Sequence, residues 1–176
     1  MFSKRFLIAA TVAAFALPIA ARAQSESKLV EDWEKLAGSD ANAKSLVNGL
    51  RDGKQVTLTS GTTSTTFTPP TGKMGNGSVN NALLLAQESL KQQGITNPTA
   101  DQLKTAVSGI LDQRAQHKGW GEIAKSMNVK LGDLRRNEHA QLARDRDRRE
   151  DRAERHERAE RPEKPERPDH AARGGR

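Results

Sequence analysis

The sequence predicts a mainly α fold: a small helical domain carrying one short β-hairpin, followed by a charged tail that passes from helix to disorder. Three observations predict it. Apolar residues recur with helical spacing in several segments bounded by glycine. One Thr-rich segment alternates with period two instead. From about residue 138 onward hydrophobic residues nearly vanish and charged ones replace them. The expected organisation is a leader over residues 1–23, a folded domain over residues 24–137 with its hairpin near residues 55–68, and a low-complexity tail over residues 138–176.

The leader is read from its chemistry. Lys4 and Arg5 precede an apolar run over residues 6–19 that only Thr11 and Pro18 interrupt. Ala21-Arg22-Ala23 then places small residues at the two positions a signal peptidase recognises, so Gln24 is the expected mature N-terminus. A bilayer-spanning helix needs about 20 apolar residues, more than this run offers. Cysteine is absent, which excludes disulfides, a thiol nucleophile, Cys-ligated metal and a lipoprotein anchor. The whole chain carries 29 basic and 22 acidic residues. Without Lys4, Arg5 and Arg22 the balance is 26 to 22, a net +4. Roughly 115 residues remain to build a core, a size that gives modest stability. Trp33, Phe67 and Trp120 are its aromatics, so Leu, Val, Ile and Ala must supply the volume.

The first mature helix is expected over residues 27–37, with Leu29, Trp33 and Leu36 along one side and Gly38 ending it. Ser39 is placed to cap a second helix in which Ala43, Leu46, Val47 and Leu50 follow the i, i+3, i+4, i+7 pattern. Gly53 stands where a C-terminal helix cap belongs. Residues 55–59 alternate, and residues 65–68 are β-branched and aromatic, so the two form a hairpin around residues 60–64. Two strands are marginal alone, and the hairpin must lie on the helices. Pro69-Pro70 stops it, and Gly72, Gly75 and Gly77 mark a loop.

Ser78 is expected to cap a third helix over residues 79–93. Its stripe of Ala82, Leu83, Ala86 and Leu90 is widened by Leu84 and Leu85, as suits a central helix with several neighbours. Gly94 and Asn97-Pro98 break the chain. Residues 99–102, Thr-Ala-Asp-Gln, have the form of a capping box. The fourth helix sets Leu103, Ala106, Val107, Ile110 and Leu111 on one face, with Gly109 available for a close crossing. A short helix with Trp120, Ile123, Ala124 and Met127 follows. After a turn at Asn128-Val129, residues 130–136 begin another helix with Leu131 and Leu134 inward. Trp120 and Ile123 are expected to join Leu103, Val107 and Ile110 in the core.

The tail alternates Arg with Glu and Asp. Pairs such as Arg146–Glu150, Asp151–Arg155 and Glu154–Arg158 favour helix, while Asp147–Asp151 and Arg148–Arg152 oppose it. A solvated helix is expected to about Arg161. Pro162, Pro165 and Pro168 then forbid regular helix, leaving an extended, disordered end.

Two motifs invite a functional reading. Residues 119–136 resemble a helix-turn-helix, with Arg135 and Arg136 placed to meet phosphates. The plainer alternative is two short helices closing a core, and an export leader favours it. Gly75-Asn76-Gly77-Ser78 at a helix start has free backbone N–H groups for an anion, but lacks the full glycine pattern of a dinucleotide or P-loop site. The histidines, His117, His139, His156 and His170, offer no i, i+4 metal pair. No nucleophile elbow surrounds any serine. No catalytic residue, cofactor or metal is expected, and a hydrolase reading has no residue behind it.

Several stretches together carry a resemblance: residues 67–77 (Phe-Thr-Pro-Pro-Thr-Gly-Lys-Met-Gly-Asn-Gly), residues 94–99 (Gly-Ile-Thr-Asn-Pro-Thr), residues 119–124 (Gly-Trp-Gly-Glu-Ile-Ala), and residues 45–51 followed by Val56-Thr57-Leu58. Over roughly residues 37–134 the chain resembles a group of small exported proteobacterial proteins that has no assigned activity. The resemblance implies export and a shared fold, and it brings no functional residue with it. A Gly/Thr-rich insert common in that group before the Gly-Trp-Gly segment is absent here, so no second hairpin is implied.

The expected function is that of an exported, noncatalytic protein, periplasmic or secreted, acting by binding through its charged tail or its helical domain. Alternating Arg and Glu can engage envelope polyanions or another envelope protein while staying soluble. Arg152, Arg155, Arg158 and Arg161, which recur every third position, are the tail's candidate contacts. A helix-turn-helix module over residues 119–136 is the alternative, with DNA an improbable partner for an exported chain.

Overall fold

A computed structural model describes residues 19–160, with side chains over residues 25–159. The expected leader up to residue 18, Arg161 and the proline-rich end fall outside the described residues. The fold is mainly helical with one two-stranded antiparallel hairpin, as the sequence predicts. The elements in order are α1 (Ile19–Ala37), α2 (Asp40–Asp52), β1 (Val56–Ser60), β2 (Thr63–Phe67), α3 (Asn76–Gln92), α4 (Ala100–Ala115), α5 (Trp120–Ser126) and α6 (Leu131–Glu160). The chain divides into two compact units, one ending at Arg135 and the other starting at Arg136.

Within the first unit α1 packs on α2 and α3 on α4. α3 also meets α1, α2 and α5, the central position its wide apolar stripe requires. Leu83, Leu85, Leu46, Leu50, Leu103 and Leu111 are fully enclosed. α1 begins at Ile19, eight residues before the expected start, so its helix runs through Ala21-Arg22-Ala23. Ser25 accepts a hydrogen bond from Asn76 Nδ2 at 2.9 Å, and Glu26 pairs with Arg51. Trp33 is the buried tryptophan, 2% exposed, and its indole N–H donates to Asn80 Oδ1 at 2.8 Å.

α2 is capped as its sequence indicates. Ser39 Oγ accepts from the Asn42 N–H at 3.2 Å, and Gly53 takes the left-handed conformation at φ 67°. The hairpin that follows is tighter than expected. Its strands extend to Ser60 and Thr63, leaving Gly61 and Thr62 as the turn, with the register Val56↔Phe67, Leu58↔Thr65 and Ser60↔Thr63. Gly61 accepts the positive φ of 60° that a two-residue hairpin turn demands. Val56, Leu58 and Thr65 face inward, and the hairpin lies on α4 and α2.

The free edge of β1 is closed by side chains of α2. In an antiparallel pair alternate residues direct their N–H and C=O groups away from the partner strand. Here those are Thr57 and Thr59. The Thr57 N–H donates to Ser45 Oγ at 2.9 Å and the Thr59 N–H to Asn42 Oδ1 at 2.9 Å. Asn42 Nδ2 donates to the carbonyl oxygens of Thr59 at 2.8 Å and Ala37 at 2.9 Å. One buried amide thus joins the end of α1, the start of α2 and the edge of β1.

α3 starts at Asn76 with Gly75 as its N-cap residue, so Ser78 is not the cap. The N–H groups of Ser78 and Val79 already donate to the Gly75 carbonyl at 2.8 and 3.0 Å, which places Ser78 inside the first turn. At the other end Ile95 N–H reaches Leu90 O at 2.9 Å and Gly94 N–H reaches Lys91 O at 2.9 Å, a Schellman closure. The α4 capping box forms in both directions: Thr99 N–H to Gln102 Oε1 at 2.9 Å, and Gln102 N–H to Thr99 Oγ1 at 3.3 Å. Gly109 has open space around it. A methyl group at its Cα would meet nothing within 4 Å, so the glycine serves no close crossing. Gly109→Ala is therefore expected to stabilise the protein by about 0.5–1 kcal/mol, the helix-propensity difference, read as a higher thermal midpoint. A lower midpoint would mean that the backbone there needs glycine for a reason the packing does not show.

Candidate functional site

α5 is short, and Glu122 Oε2 accepts from the Gly119 N–H at 2.6 Å to start it. Ile123 and Ala124 are buried, as are Leu103, Val107 and Ile110. Trp120 departs from the expectation. It sits partly buried against the margin of the core, with the Arg114 guanidinium 5.3 Å from its ring centroid. Met127, Val129, Leu131 and Leu134 are partly buried in the same way. Asn128 closes α5 in the left-handed region at φ 58°.

α5, the turn and the first residues of α6 form two helices in succession, which both readings of residues 119–136 require. Arg135, one of its two candidate phosphate contacts, is engaged elsewhere. Its Nε and Nη2 donate to Asn81 Oδ1 of α3 at 3.1 and 2.8 Å, and Asn81 is itself buried. Arg136 also interacts within the chain. Gly75 and Gly77 belong to the N-cap and first turn of α3, while Gly72 lies before them. His139 and His156 are exposed. Among the described residues no group of three or more His, Asp or Glu converges as a metal site. No described helix is long and apolar enough to cross a membrane.

The remaining candidate is α6. It continues without a break from Leu131 to Glu160, so the short helix and the tail helix expected from sequence are one element of 30 residues. Glu138 is buried and Leu142 half-buried. From Ala143 to Ala159 every residue except Asp145 is exposed. α6 carries nine basic and nine acidic side chains, so as a whole it is neutral. Its net charge attracts nothing, and any charged contact must come from how those charges are arranged.

They are partly sorted by face, with Arg146, Arg149, Arg158, Asp145 and Asp151 outside the two arcs that follow. At 3.6 residues per turn, Arg144, Arg148, Arg152 and Arg155 fall within about 80° of arc. Asp147, Glu150, Glu154 and Glu157 fall within a second arc of about 80°, its centre turned by about 140° from the first. The candidate arginines read from sequence are only partly on this face. A three-residue step turns the helix by about 60° short of a full circle, so Arg152, Arg155 and Arg158 drift around it rather than align. Arg161 lies outside the described residues. Arg144 and Arg148, which the three-residue rhythm passes over, complete the aligned set. The i, i+4 spacing from Arg144 to Arg152 is the signal that reveals them.

The expected i, i+4 pairs Arg146–Glu150, Asp151–Arg155 and Glu154–Arg158 are not closed. Arg148 instead approaches Asp145, at 4.0 Å. Exposed pairs contribute so little that long side chains need not hold them. Asp151, Glu154, Arg155 and Arg158 border a concavity. No family model, curated protein or solved structure matches this chain.

Proposed function

We propose that this is an exported, noncatalytic binding protein of the bacterial envelope, periplasmic or secreted, whose binding element is the charged part of α6. The leader chemistry of residues 1–23 and the resemblance to small exported proteobacterial proteins support the location. One observation carries the binding role: residues 143–159 form a continuous helix that is exposed almost throughout and displays four arginines on one face and four carboxylates on another. Such a segment adds almost no buried apolar area, so folding of the domain does not account for it. A surface of fixed, solvated charges acts by electrostatic complementarity. The partner is an envelope polyanion or another envelope protein. Arg135 is held by Asn81, which weakens the helix-turn-helix alternative.

The test is a chain ending at Leu142. Its thermal midpoint is expected to stay close to the full chain's, because the deleted residues bury almost nothing. Its retention on a charged matrix should fall, and the full chain's retention should weaken steeply with salt, since solvent-exposed charges are screened beyond about 8 Å at physiological ionic strength. Retention of the shortened chain equal to the full chain's would place the contact in the folded domain. For location, the native protein should begin at Gln24, and a protein recovered from the cytoplasm with Met1 intact would overturn that part.

A further inference from the structure

Resting on the reading of α6 as the binding element, we infer that its contact surface is the face bearing Arg144, Arg148, Arg152 and Arg155, and that its partner is a linear polymer carrying sulfate or phosphate groups. The backbone positions of the four arginines span about 16 Å along the helix at 1.5 Å of rise per residue. Arg144, Arg148 and Arg152 follow one another at about 6 Å, one turn apart. All four are exposed. Among the described residues Arg144, Arg152 and Arg155 close no ion pair, and Arg148 has only Asp145 at 4.0 Å.

Like charges at i, i+4 destabilise a free helix by a few tenths of a kcal/mol per pair. The row contains two such pairs, Arg144–Arg148 and Arg148–Arg152, and an anionic strand laid along it relieves both. Arginine suits this role because its planar fork takes sulfate or phosphate oxygens two at a time.

The shape of the row favours a line of charge over a plane. Asp151 borders it on one side and Asp145 on the other, and Asp147, Glu150, Glu154 and Glu157 lie beyond Asp151. A flat anionic membrane would bring those carboxylates close to its own charge. Residues 143–159 include only Ala143, Ala153 and Ala159 as apolar side chains, so nothing here inserts into a bilayer. A second copy of the helix is a poorer occupant too. Exposed ion pairs contribute up to about 1 kcal/mol each, and no apolar seam adds to them.

The experiment measures retention of the full chain on immobilised heparin against sodium chloride. Two variants with the same change in charge are compared: Arg148→Gln with Arg152→Gln on the face, and Arg146→Gln with Arg149→Gln off it. Circular dichroism confirms that helix content is equal. With four contacts the log–log dependence on salt has a slope of roughly −3. The on-face variant should drop to about half that slope, while the off-face variant keeps it. Equal loss in both variants, with loss also on truncation at Leu142, keeps α6 as the binding element and overturns the face. Undiminished retention after that truncation overturns the binding role of α6 itself. Tighter binding to phosphatidylglycerol vesicles than to heparin overturns the linear partner. Loss of retention in a chain with Asp147→Asn, Glu150→Gln, Glu154→Gln and Glu157→Gln overturns a one-sided contact and points to a second copy.

Discussion

Asn42→Leu is expected to destabilise the protein by about 2–4 kcal/mol, measured by denaturant unfolding. Leucine matches the volume but offers neither donor nor acceptor. The buried Ala37 carbonyl loses its side-chain partner, and both edge groups of Thr59 lose theirs. A buried polar group left without a partner costs about 1–3 kcal/mol. The Thr59 groups sit at a strand edge where water can partly replace the amide, which keeps the sum below three full penalties. Ser45→Ala provides the contrast. It removes one exposed bond to the Thr57 N–H and should cost about 1 kcal/mol or less. If Asn42→Leu and Ser45→Ala behave alike, the amide is not the tie between α1, α2 and β1.

Gly53→Ala is expected to cost about 2–4 kcal/mol, for two additive reasons. The residue sits at φ 67°, where a Cβ costs about 1–2 kcal/mol. That Cβ would also lie 2.7 Å from the Gly72 carbonyl carbon and 2.9 Å from the Lys73 nitrogen. Those are backbone atoms, and no rotamer change can move them aside. Residues 71–74 would have to lift from the end of α2, stretching the Met74 N–H to Arg51 carbonyl bond of 3.1 Å and uncovering buried Met74. Gly38→Ala separates the two causes. Its φ is 80°, but nothing lies within 4 Å, so it should show the conformational cost alone. For a domain whose total stability is of order 5–15 kcal/mol, either large effect lowers the midpoint by many degrees. Equal losses at Gly38 and Gly53 would remove the packing argument.

The elements legible in the sequence are those fixed by local chemistry. The stripes of α2, α3 and α4 emerge from 3.6-residue spacing, and Thr99 and Gln102 form their box because both partners lie within one turn. What was not legible depends on partners distant in sequence. Asn42 looks like one polar residue in a helix until β1 brings Thr59 beside it. Trp33 and Trp120 both stand on apolar stripes, yet α1 is covered along its stripe while Trp120 stays at the core's margin. Gly109 resembles a crossing glycine, but nothing lies within 4 Å of where its Cβ would stand. The start of α3 at Asn76 was hidden because Ser78 is the better cap by type, although Gly75 holds the extended backbone that begins the helix.

The candidate site divides along the same line. That the tail is charged, helical and mostly solvated followed from composition. Which arginines act together depends on an angle. The every-third-residue rhythm that stands out in the written sequence winds around α6, whereas the quieter four-residue spacing from Arg144 stays on one side. Composition could not separate these, because nine positive and nine negative charges give the same sum in any order.

The most direct measurement is a titration of the isotopically labelled full chain with a short heparin fragment, followed by nuclear magnetic resonance of the backbone amides and arginine Nε–H groups. The account predicts that the largest perturbations fall between Arg144 and Arg155, that the side-chain signals of Arg144, Arg148, Arg152 and Arg155 move together, and that added salt reverses them. Perturbations confined to residues 25–135, with the signals of α6 beyond Leu142 unmoved, would contradict it.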